Sequence, residues 1–163
     1  MNWDKITDII LFASIALLGV FALLGLYQWI TRKSLKKVDR NLLAFFVPLI
    51  LMVITYLIFD KLFILNTRPD GSGEPSFPSS HAMAVTTIFM LIALNLPTYI
   101  RQKPLRVVLY ILMFALTILV AIGRVLADKH WASDVLAGLV FAGIFILVYY
   151  LIIRRTKNVQ HLH

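Results

Sequence analysis

Two histidines, four cations and two carboxylates stand in three short stretches of an otherwise apolar chain: Lys61 to Pro69, Pro78 to His81, and Arg124 to Asp134. The cations that could meet one anion are Lys61, Arg68 and Arg124. Two guanidiniums and an ammonium match the oxygens of a phosphoryl group, because arginine offers paired planar donors and lysine a movable point charge. Held in place, such donors stabilise charge on a five-coordinate phosphorus. For any one of the three, the competing reading is a side chain snorkelling to lipid headgroups.

His81 follows Pro78, Ser79 and Ser80 at the mouth of an apolar helix, where unpaired backbone N–H groups and the helix dipole favour an anion. Ser79 and Ser80 add hydroxyl donors. A histidine beside a bound anion is placed to protonate a leaving oxygen, although the stretch alone also reads as a plain helix cap. His130 and Asp134 are four apart where another apolar run begins, a spacing that puts both on one face of a first helical turn. A carboxylate there can hold one imidazole nitrogen and leave the other free as nucleophile or base. The alternative is that Asp134, or Ser133, only caps the helix.

The elements that carry these residues are membrane helices. Of the 163 residues, 60% are apolar and only 15% charged, too apolar for a soluble domain of ordinary composition. Apolar runs near the roughly 20 residues needed to cross a bilayer cover residues 8–30, 41–59, 79–98, 107–126 and 134–153. The third is the weakest, since its apolar part, Ala82 to Leu96, must borrow length from Ser79 and Thr98. The first is not a cleaved signal, because Asp4 and Asp8 outnumber Lys5 ahead of it. No repeat or linker divides the chain. The reading is therefore all-α: a single-domain integral membrane helical bundle of about five transmembrane helices, residues 1–163.

The net charge of +8 points to a membrane surface rather than to nucleic acid. Of 16 lysines and arginines, eleven lie at Arg32 to Arg40, Arg101 to Arg106 and Arg154 to Lys157, which five spans put on one side. By the positive-inside rule that side is cytoplasmic. The N-terminus and all three polar stretches then face outward across the cell membrane, with the C-terminus inside. Tyr27, Trp29, Tyr149 and Tyr150 sit near the inner ends of spans and read as interfacial anchors. Pro48 marks an expected kink in the second span, and Gly138 with Ala142 a small surface for close helix packing. The chain has no cysteine, so disulfides, thiolate metal sites and cysteine nucleophiles are excluded. His161 and His163 in the tail are read as at most adventitious metal ligands.

Taken together, K-x6-R-P, P-S-x-H and R-x5-H-x3-D resemble the three-part signature of the type 2 phosphatidic acid phosphatase superfamily of membrane lipid phosphatases, over roughly residues 60–153. The resemblance implies that His130 attacks phosphorus to give a phosphohistidine, oriented by Asp134. It implies that His81 protonates the leaving group, that Lys61, Arg68, Ser79, Ser80 and Arg124 bind phosphate, and that no metal ion or other cofactor takes part. Two positions depart from the family pattern. Ser80 stands where a glycine is usual, and Gly123 precedes Arg124 where a serine is usual, so one hydroxyl is missing. Six spans are common in the family and five are read here, with the first as the expected loss.

The expected function is hydrolysis of a lipid phosphate or diphosphate drawn from the bilayer: an isoprenoid carrier diphosphate such as undecaprenyl diphosphate, phosphatidylglycerol phosphate, phosphatidate or a phosphorylated glycolipid. A phosphotransferase would use the same residues with an acceptor lipid in place of water. A non-catalytic phospholipid-binding or transport protein would need the cations but neither histidine. A metal-dependent phosphatase is disfavoured because hard divalent ions want clustered oxygen ligands and Asp134 is the only carboxylate that the motifs fix. Asp70, Glu74 and Asp128 must pair with Lys129 or face away, or they would repel the anion; paired or not, they could tune specificity. The sequence sets no oligomeric state.

Overall fold

Hydrogen bonding in the backbone of each apolar run must be closed within the run, and the chain accordingly folds into helices. The computed structural model describes residues 2–160, with side chains to residue 155. His161 and His163 lie outside the described residues. In chain order the helices are α1 (Trp3–Arg32), α2 (Arg40–Ala44), α3 (Phe46–Leu57), α4 (Ser80–Tyr99), α5 (Lys103–Leu126) and α6 (Ala132–Gln160). A wide π turn, Ile58–Leu62, ends α3. Among the described residues, five helical spans are long and apolar enough to cross a membrane, with α2, α3 and the π turn forming the second.

The third span is the weakest in hydropathy because it faces protein rather than lipid. In its most apolar stretch 56% of α4 is buried, against 11–22% in the other four spans. Val85, Ile88, Phe89, Ile92 and Leu96 of α4 form the main core with Ile10 of α1 and with Met113 and Val120 of α5. Toward the opposite end Leu91 packs with Ala44, Phe45 and Tyr149. Tyr149 is therefore not the interfacial anchor expected of it. It is 3% exposed, and Asn95 donates to its hydroxyl at 2.6 Å, while Tyr150, about 100° further round the helix, is half exposed. Tyr27 and Trp29 are exposed as anchors should be.

The second span breaks at Phe45, one turn before Pro48, whose ring lacks a donor and crowds the carbonyl of Ala44. α1 begins a turn earlier than its apolar run suggests, because Asn2 caps it by accepting from the Lys5 N–H at 3.1 Å. That extra turn makes Asp4, Thr7 and Asp8 helical. Where α6 crosses the start of α4, a Cβ on Gly138 would meet the Ser79 carbonyl oxygen at 2.8 Å and the Met83 nitrogen at 3.3 Å. Backbone cannot swing aside as a side chain can, so Gly138→Ala is expected to cost about 1–3 kcal/mol through overpacking. A fall in the detergent unfolding temperature, with a parallel loss of activity because Ser79 adjoins the site, checks this. An unchanged melting curve would contradict the close crossing.

Candidate active site

Three of the polar stretches meet at one end of the bundle, and a fourth element, the start of α1, joins them. The segment between the second span and α4 folds back on itself: Arg68 N–H donates to Glu74 O at 3.0 Å and Ser76 N–H to Asn66 O at 2.9 Å. Gly71 and Gly73 take positive φ at the tip, which allows the reversal. The fold-back aims the Ser76 carbonyl at His130.

His130 lies just ahead of α6 and is 4% exposed. Its Nδ1 is 2.7 Å from the Ser76 carbonyl oxygen. A carbonyl can only accept, so Nδ1 carries the proton and Nε2 keeps its lone pair. Burial, and then the Arg124 guanidinium, lower the His130 pKa to about 4. The ring is neutral at pH 7. For the free enzyme, the acid limb of kcat/KM, corrected for ionisation of the substrate, is therefore expected near pH 4, with activity lost as the imidazole gains its second proton below that value. A limb near 6.5 would contradict the buried, neutral ring.

Asp134 does not make the direct bond to His130 expected from their spacing. Its two oxygens accept from Asn66 Nδ2 at 2.9 Å and from the Trp131 N–H at 3.0 Å. The physical reason is that α6 starts at Ala132, so His130 is outside the helix and the four-residue rule does not bring the pair together. Asp134 is the third residue of α6 and closes its first turn by reaching back to the preceding N–H. It is linked to His130 through two intervening residues: Asp134 accepts from Asn66, whose carbonyl accepts from Ser76, whose carbonyl accepts from His130.

A cavity of about 60 Å³ is lined by Arg68, Ser76, Ser80 and His130, with Tyr56 and Asp60 on its wall. It has room for about five water-sized groups, which suits a phosphoryl group and not a lipid tail. Ser80 lines it, so the departure from glycine adds a hydroxyl there. Ser79 is fully buried and caps α4: its Oγ faces the Ala82 N–H at 3.5 Å and its own N–H donates to Asp134 O at 3.0 Å. Its hydroxyl serves the helix first. Lys61 does not line the cavity. It is exposed at the π turn, with Nζ 2.8 Å from Asp60 Oδ2.

Arg124 is 3% exposed and its Nη1 donates to Asp4 Oδ1 at 2.7 Å and to Thr7 Oγ1 at 3.2 Å. Asp8 Oδ1 lies 2.8 Å from His81 Nε2 and 3.8 Å from Arg124 Nη1. Sequence reasoning missed Asp4, Thr7 and Asp8; the available signal was their spacing of three and four on one helical face at the N-terminal end of the first span. Gly123 is explained by the same contact. A Cβ there would stand 2.7 Å from the Thr7 methyl, and the Thr7 hydroxyl now faces Arg124 in place of the missing serine. Two of the three loop acids are paired, Glu74 with Arg68 and Asp70 with Lys129 at 2.9 Å, while Asp128 enters through its backbone, its carbonyl accepting from the Asp70 N–H at 3.0 Å. Arg68 Nε, Ser76 Oγ, His81 Nδ1 and Arg124 Nε are buried with no protein partner, an incomplete set of polar contacts drawn from all three motifs.

The family model of the PAP2 superfamily matches residues 50–158, well over half of the chain. This chain belongs to the PAP2 superfamily. Among solved structures it is similar to the crystal structure of the transmembrane PAP2-type phosphatidylglycerolphosphate phosphatase from Bacillus subtilis, with a TM-score of 0.63 and 26% identity over 96% of this chain and 75% of that one. No curated protein sequence matches it. Membership and structural likeness together support a membrane lipid phosphatase. In this PAP2 chain the matched region begins within α3, so the acids of α1 lie outside it.

Proposed function

We propose that the chain hydrolyses a phosphate monoester or diphosphate on a lipid of the outer leaflet, by a metal-independent route through a phosphohistidine at His130. The observation that carries this reading is the His130 ring, fixed through Nδ1 by the Ser76 carbonyl and kept neutral, with Nε2 free at a small polar cavity. A binding protein has no use for such a nitrogen. Nε2 attacks phosphorus while His81 protonates the departing oxygen, and Arg68, Arg124, Ser80 and the first N–H groups of α4 stabilise the charge gathering on the phosphoryl oxygens. Asp134 positions His130 through Asn66 and Ser76. Water then takes the phosphoryl group from His130 and releases phosphate.

Lys61, beside Asp60 at the cavity mouth, is assigned to the incoming headgroup rather than to the reacting phosphoryl group. Facing the motifs outward follows from the basic segments at the other end of the bundle. The structural relative makes phosphatidylglycerol phosphate the first substrate to try. The test is phosphate release by detergent-purified protein in excess chelator, across lipid monophosphates and diphosphates, with His130→Ala as control. Release that survives chelator and vanishes in the variant supports the reading. Absence of release from every lipid by folded protein, or release that chelator stops, contradicts it; recovery of phosphate on an added acceptor lipid would assign the same site to transfer.

A further inference from the structure

The reading above gives His81 the proton that the leaving oxygen receives, and it leaves open what keeps that proton on the ring. An imidazolium at His81 has the Arg124 guanidinium as a neighbour of like charge, since Asp8 Oδ1 touches both, at 2.8 Å from Nε2 and 3.8 Å from Nη1. Without a carboxylate the ring would hold its second proton poorly. His130, the other ionisable ring at the site, is kept neutral and gives no help.

We propose that Asp8, on the first turns of α1, is the positioning residue for the leaving-group acid: it accepts Nε2–H of His81 and so reserves Nδ1–H for the departing lipid oxygen. The geometry fits this division of the ring. Nε2 is committed to Asp8, whereas Nδ1 is buried and has no protein partner. Asp4 plays the matching part for Arg124, drawing one guanidinium nitrogen aside at 2.7 Å and leaving Nε unpaired. The two carboxylates offset part of the repulsion that an imidazolium at His81 meets from Arg124.

The step balances as follows. The lone pair of His130 Nε2 forms the P–N bond as the bond between phosphorus and the lipid oxygen breaks, and that bond's electron pair stays on the oxygen. Nδ1–H of His81 passes its proton to the oxygen, leaving a neutral ring still bonded to Asp8 through Nε2–H. In the second half, water attacks phosphorus and gives a proton back to Nδ1, and His130 leaves neutral. No additional reactant is required.

A role through His81 can be told from a structural role by the leaving group, because a nitrophenolate departs without a proton and an alkoxide does not. The experiment compares kcat/KM for dodecyl phosphate and for an alkyl-substituted nitrophenyl phosphate in wild type, Asp8→Asn, Asp8→Glu and His81→Ala. Asp8→Asn is expected to lose about 100-fold on the alkyl substrate and under about fivefold on the aryl one, in the range that general acid catalysis contributes. Asp8→Glu should recover much of the alkyl rate, and His81→Ala should show the same selectivity as Asp8→Asn or more. Equal losses on both substrates in the Asp8 variants, or none, with selectivity kept in His81→Ala, would overturn the assignment of Asp8 alone. If His81→Ala itself shows no selectivity, the leaving-group role of His81 fails and that of Asp8 with it. Should Asp8→Asn not fold, a selective loss retained by folded Asp8→Glu supports the proposal and an equal loss on both substrates overturns it.

Discussion

His130→Ala is expected to lower kcat/KM by on the order of 10⁴-fold or more, the scale seen when a nucleophile acting within a catalytic unit is removed. The loss has one cause: among the residues that line the cavity only His130 carries an imidazole, so the proposed pathway through a covalent intermediate disappears and only orientation and charge stabilisation remain. The fold should survive. The substitution leaves the Ser76 carbonyl without its partner, at a cost of about 1–3 kcal/mol, while Asp134, Asn66 and Ser76 keep their own bonds. Unfolding temperature in detergent and phosphate release, measured on one preparation, separate the two effects. A variant that folds yet turns over at the wild-type rate would remove His130 from the chemistry.

Arg124→Ala is expected to have the second largest effect, about 10²–10³-fold in kcat/KM, comparable with removal of one preorganised donor at a developing oxyanion. Two losses combine in that figure. In the proposed mechanism the guanidinium stabilises the phosphoryl oxygens, and it also ties α5 to Asp4 and Thr7 of α1, so its removal loosens the helix that carries Asp8. Arg124→Lys keeps the charge but not the fork, and should recover only part of the rate. Stability should fall as well, moderately, because the side chain of Asp4 is 42% exposed and can return to water. Lys61→Ala, at an exposed residue outside the cavity, should cost under about tenfold. Equal losses from Lys61→Ala and Arg124→Ala would contradict the separate roles proposed for the two cations.

The helical bundle was legible in the sequence because the bilayer imposes a length and an apolarity on every span. Even the doubtful third span carried its meaning: the polar and small residues that lower the hydropathy of α4 are those that face other helices, as Asn95 does toward Tyr149. Of the residues read from the motifs, Arg68, Ser80 and His130 line one cavity, whereas His81 and Arg124 stand outside its lining and meet acids of α1 instead. What local spacing could not show is which neighbour each side chain would meet. His130 and Asp134 were read as one helical face, yet the helix starts between them, and a backbone carbonyl 54 residues away holds the ring. Lys61 was grouped with Arg68 by motif, and the π turn points it elsewhere. Asp4, Thr7 and Asp8 carried only a helical spacing, because their partners, Arg124 for the first two and His81 for the third, lie 120, 117 and 73 residues on.

The most direct measurement is capture of the intermediate. Protein mixed with a radiolabelled lipid phosphate and quenched in alkali should carry label that is stable to base, is lost in acid, and maps to Nε2 of His130, the nitrogen left free by the Ser76 carbonyl. Label on Nδ1, label persisting in His130→Ala, or turnover with no trapped phosphohistidine under conditions that accumulate the intermediate would contradict the account.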